Sequence, residues 1–89
     1  DFAAGARIAG QLNCRMNFDL EFTLEAVPEE KRERVRHALE PLLSEMETRG
    51  IFTKPKYGVR SLTARGRFHF AETAGVLMEA AAEAWNGEI

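Results

Sequence analysis

Eighty-nine residues, 45% of them hydrophobic and 29% charged, with a net charge of −2, specify one small globular domain spanning 1–89 and leave no room for a second core. A chain this short excludes a nucleotide-binding α/β enzyme, and its single cysteine excludes an internal disulfide, which points to a reducing, cytoplasmic setting. No run approaches the roughly 18 apolar residues of a membrane span, and no stretch reads as a signal peptide.

In chain order, residues 2–13 place Phe2, Ile8 and Leu12 among alanines and predict a first helix, weakened by Gly5 and Gly10. Met16, Phe18, Leu20, Phe22 and Leu24 then alternate with polar residues, which predicts a half-buried strand over 16–25. Met16, Leu20, Leu24 and Val27 also fit a short amphipathic helix. Pro28-Glu29-Glu30 reads as a helix start, with acids at the positive end of the dipole. Val35, Leu39, Leu42, Leu43 and Met46 supply an apolar stripe, and Pro41 divides the segment into two short helices (29–37, 40–49) or kinks a single one. Gly50 marks the stop.

Ile51 to Ala64 reads as a basic hairpin turning at Lys54-Pro55-Lys56 or at Tyr57-Gly58. A last helix is predicted from Arg67 to Trp85, with Phe70, Ala74, Leu77, Met78, Ala81 and Trp85 on one stripe.

Charge is segregated. Between Thr48 and Ala71 stand Arg49, Lys54, Lys56, Arg60, Arg65 and Arg67 with no acidic residue, leaving an acidic remainder. Phe52, Tyr57, Phe68 and Phe70 are interleaved with them. Such a segment is a footprint for a polyanion or an acidic protein surface, or else a solvated hairpin whose cations blunt its edge. Catalytic patterns are absent: His37, His69 and Cys14 lack metal-ligand spacing, and no phosphate-cradling loop is present. No enzyme, metal site or cofactor is expected.

Met46-Glu47-Thr48-Arg49-Gly50-Ile51-Phe52, the basic hairpin, and Leu62-Thr63-Ala64-Arg65-Gly66-Arg67 together resemble the second half of a winged helix-turn-helix domain. The closing helix resembles that of the PadR-like and MarR-like regulators. The resemblance covers about half the chain. It implies a mainly α fold with a small β-hairpin wing; a two-layer α+β sandwich is the alternative. It also implies a small dimeric transcriptional regulator binding double-stranded DNA. Ser44, Thr48 and Arg49 would approach bases, while Lys54, Lys56, Arg60, Arg65 and Arg67 meet phosphates or the minor groove. Phe70, Leu77, Met78 and Trp85 would form a homodimer, or else serve the chain's own core. The candidate recognition helix nevertheless carries Glu40, Glu45 and Glu47, which oppose phosphates. Either the wing and backbone contacts hold DNA, or the domain is a non-catalytic module that docks on an acidic protein surface.

Overall fold

A computed structural model describes residues 2–87; Asp1, Glu88 and Ile89 of the expected domain lie outside the described residues. The fold is mostly helical, with a small two-stranded antiparallel sheet. Its elements are α1 (Ala3–Gly10) running into a π-helical turn (Gln11–Arg15), β1 (Asn17–Asp19), α2 (Leu20–Leu24), α3 (Glu29–Thr48), β2 (Val59–Ser61), α4 (Ala64–Phe68) and α5 (Phe70–Asn86). The buried side chains of α1, α3, α5 and the sheet form one cluster around Ile8, Leu12, Phe18, Leu39, Leu43 and Leu77. Among the described residues no helix is long and apolar enough to cross a membrane.

The expected long strand is corrected to three strand residues followed by a helix. Both periodicities fit the sequence here, and local polar groups decide between them. The Asp19 carboxylate accepts from the Phe22 amide at 3.1 Å and so caps α2. Gln11, buried at the end of α1, accepts from the Asp19 amide and donates to the Thr23 hydroxyl, each at 2.6 Å, and that hydroxyl donates to the Asp19 carbonyl at 3.0 Å. Thr23, which a strand would turn to solvent, is fully buried, and Leu20, Leu24 and Val27 enter the core on helical spacing. The closed network satisfies every member, as burial demands.

α3 is one helix rather than two: Pro41 sits inside it on the exposed side, where the missing amide costs less because water reaches the freed carbonyl. The helix ends as expected at Gly50, at φ 78°. The Gly50 amide donates to the Glu47 carbonyl at 3.0 Å and the Ile51 amide to the Met46 carbonyl at 2.9 Å, the bond pair of a Schellman motif.

β2 pairs with β1 in the register Asn17↔Ser61, Phe18↔Arg60 and Asp19↔Val59. Its other edge takes the outgoing arm of the hairpin through bridges at Phe52↔Leu62 and Lys56↔Val59. Pro55, which has no amide to donate, keeps that arm from becoming a full strand. The last helix is also corrected: α4 and α5 are separate, broken at His69.

A clamp at residues 50–66 joins the chain before the hairpin to the chain after it. The Thr63 hydroxyl donates to the Gly50 carbonyl and accepts from the Gly66 amide at 3.0 Å, capping α4. The Thr63 amide donates to the Ile51 carbonyl, also at 3.0 Å. Gly66 packs so closely there that a Cβ would lie 2.1 Å from the Ile51 carbonyl oxygen. Gly66→Ala is therefore expected to cost about 3 kcal/mol or more, since backbone must move. Thr63→Ala should cost about 1–2 kcal/mol through the lost cap. Denaturant unfolding of both variants beside the parent checks this order.

Arg36 makes two hydrogen bonds to Glu21, tying α2 to α3, and holds that carboxyl below its usual range. A carboxylate whose pKa is depressed by folding stabilises the fold above its unfolded pKa, and that stabilisation is lost as pH falls through the folded value. Because Glu21 is largely exposed, Glu21→Gln should flatten the acid limb of stability only slightly, by under about 1 kcal/mol, as read by thermal melts below pH 5.

Candidate nucleic-acid interface

Most of the chain's cations outside the basic segment are already engaged within the fold. Arg7 lies over the Phe22 ring at 4.2 Å and donates to the Phe22 carbonyl at 2.9 Å. Arg32 donates to the Val27 carbonyl at 2.8 Å. Arg34 donates to the carbonyls of Ala84 and Trp85 at 2.5 and 3.1 Å, so a cation closes the negative end of α5. Lys31 stands 5.7 Å from the Trp85 ring.

Within the basic segment the expected residues divide. Arg60, expected to meet phosphates or the minor groove, has a side chain that is 14% exposed and ion-paired with Glu47, itself 18% exposed. This bond fastens β2 to the end of α3. Arg49 pairs with Glu45 at 2.7 Å on the exposed face of α3, and the Thr48 hydroxyl donates to the Ser44 carbonyl at 3.2 Å. Arg67 points back to the Leu62 carbonyl at 3.4 Å. Lys54 and Lys56 are exposed, and among the described residues neither is in an ion pair or a side-chain hydrogen bond.

The fold brings the candidates together in three places. Ser44 and Arg60 share a shallow groove between α3 and β2 with His37, Glu40 and Pro41. Arg49 and Arg65 both line a second groove of about 290 Å³, beside Met46, Ile51, His69 and Glu72. Lys54 and Lys56 stand together on the hairpin. The exposed side of α3 carries Glu33, Glu40 and Glu45, whereas Glu47 is turned in to Arg60. Among the described residues, no group of three or more His, Cys, Asp or Glu gathers as a metal site.

The stripe expected to form a dimer is the inner face of α5. Leu77 is fully buried in the chain's own core; Phe70, Met78 and Trp85 are half-buried against that core. The Trp85 ring meets Phe2 edge-on at 4.9 Å.

One exposed residue was not singled out as a contact from sequence. Tyr57 is 96% exposed at the hairpin turn, and the signal available was an aromatic placed immediately before the turn glycine.

Comparison of the chain with protein-family models, with curated proteins and with solved structures gave no match.

The division of cations makes a measurable distinction. Arg60→Ala should lower stability by about 1–3 kcal/mol, because it leaves Glu47 half-buried and unpaired. The double substitution Lys54→Ala, Lys56→Ala should stay within about 0.5 kcal/mol of the parent, as for exposed sites generally. Thermal melts of the two variants side by side check it.

Proposed function

We propose that this chain is a winged-helix domain that binds double-stranded DNA chiefly through its hairpin, as part of a transcriptional regulator. The element order supports the reading: a helix, a short strand, two helices, a hairpin and closing helices, with β2 lying between β1 and the outgoing arm. The motif residues that carry the resemblance, Gly50, Thr63 and Gly66, meet in one clamp at the base of the hairpin.

The observation that carries the functional half is the state of Lys54 and Lys56: exposed, without an acidic partner among the described residues, and on the outgoing arm of the hairpin. Two unneutralised ammonium groups on one arm suit phosphate contact, where binding energy comes from releasing condensed counterions. Arg65 and Arg67, both exposed at α4, extend the positive surface. The acidic outer face of α3 argues against deep insertion of that helix in a major groove. Binding is therefore expected to be backbone-dominated, salt-sensitive and weak in sequence discrimination.

That same acidic face favours one second reading: a protein-interaction module in which the hairpin docks on an acidic partner.

Fluorescence anisotropy with a labelled mixed-sequence duplex across a salt series separates the two. The DNA reading expects a steep loss of affinity with salt. Replacing Lys54 and Lys56 by alanine should reduce the log–log slope by about 2, one unit for each phosphate contact removed. Absence of binding by the parent at low salt overturns the DNA reading.

A further inference from the structure

We propose that Tyr57 stacks on an unpaired base, so that the preferred ligand is a DNA duplex interrupted by an unpaired segment; this rests on the DNA reading above. The hairpin closes through a two-residue turn, Tyr57-Gly58, bounded by reciprocal backbone bonds between Lys56 and Val59 at 2.8 and 3.0 Å. Both turn residues have positive φ, 53° at Tyr57 and 80° at Gly58. Such turns favour Asn, Asp or Gly at the first position, and a bulky L-residue there is an outlier. The ring is 96% exposed, and among the described residues it takes part in no aromatic pair and no cation–π contact. Phe68, the other strongly exposed aromatic, does have a neighbour, with its ring edge-on to His69 at 5.0 Å. Tyr57 therefore offers ring faces that the fold leaves uncovered, at a conformational cost that asparagine would not carry.

The charge around the hairpin selects the form of DNA. Lys54 and Lys56 lie on the arm leading into the turn, and no acidic residue stands between Arg49 and Ala71. Past the turn that positive surface is interrupted. Arg60, in β2, is taken up by Glu47, and Glu40 lines the groove beside Arg60 with His37, Pro41 and Ser44. A continuous duplex running from the hairpin over β2 onto α3 would bring phosphates against Glu40, and against Glu33 and Glu45 on the exposed side of that helix. Contact confined to the tip avoids that repulsion and leaves Lys54, Lys56 and the ring to supply the binding.

In a paired helix each base face is covered by its neighbours, so an aromatic ring gains a stacking partner only by unstacking a step. Where pairing is interrupted a face is open. Base–aromatic stacking there needs no particular sequence, and the ammonium groups meet the flanking phosphates.

The test uses two labelled DNAs of equal length and phosphate count. One is fully paired; the other has a central bubble of mismatched bases, with 2-aminopurine among them as a base whose emission falls on stacking. Anisotropy, 2-aminopurine emission and thermal melts compare the parent with Tyr57→Asn and Tyr57→Phe. The parent should bind the bubble DNA roughly tenfold more tightly than the paired one, the gain of one stacked base, and should lower its emission. The salt slope should be the same for both DNAs, because the phosphate contacts are shared. Tyr57→Asn should melt at or above the parent temperature, lose the preference and leave the emission unchanged, while Tyr57→Phe behaves as the parent does. Equal or weaker binding of the bubble DNA by the parent overturns the stacking while leaving hairpin binding standing, and so does a preference that survives Tyr57→Asn. A lower melting temperature for Tyr57→Asn overturns it too, by assigning the ring to the fold. A parent that binds neither DNA overturns the underlying reading and the stacking together.

Discussion

The close passage of Gly66 beneath the Ile51 carbonyl, held by Thr63, is the constraint on which the rest of this structure depends. At that crossing the exit of α3, the root of the hairpin and the start of α4 come within hydrogen-bonding distance of one another. A side chain at 66 would force them apart. Because the crossing is fixed, β2 leaves it in register with β1, Phe18 and Phe52 reach the core with ring centroids 6.4 Å apart, and the turn at 57–58 is carried outward. Arg60 and Glu47 then tie β2 to α3. The hairpin is thus anchored at its base on three sides and free at its tip.

That anchoring gives the charge pattern its meaning. Twelve basic residues against fourteen acidic ones say little until each is assigned a partner. Several arginines work inside the fold, bracing helix ends, stacking on rings or pairing with glutamates. Among the described residues Lys54 and Lys56 have no such partner. A bound polyanion would meet charge that the fold has not already paired.

Much of this architecture could be read in the sequence because several signals agreed. Pro28 with two acids opened α3 and Gly50 closed it; the hairpin lay where proline and glycine punctuate a basic, β-branched stretch. The readings that failed did so where two patterns overlapped. Residues 16–25 satisfy a period of two and a helical spacing alike, and the decision rested on Gln11 and Asp19, whose hydrogen bonds depend on α1 lying alongside α2. His69 gave no breaker signal, so the split between α4 and α5 could not be seen locally. Pro41 left one helix and two equally open in the sequence, because its cost depends on which side of α3 faces water.

The candidate surface was legible in composition and illegible in partnership. Six cations in a row of segments announced a basic limb, yet only the fold separates Arg60, held by Glu47, from Lys54 and Lys56. Likewise Leu77 follows an apolar stripe that serves a core and a dimer equally well, until α1 and α3 are seen to cover it. Backbone amide mapping tests the central claim most directly: a 15N-labelled chain titrated with a short duplex at low salt. The largest shift changes are expected from Thr53 to Val59, at the free end of the hairpin. Changes gathered on α5 or on the acidic face of α3 with a silent hairpin, or no changes at all, would contradict it.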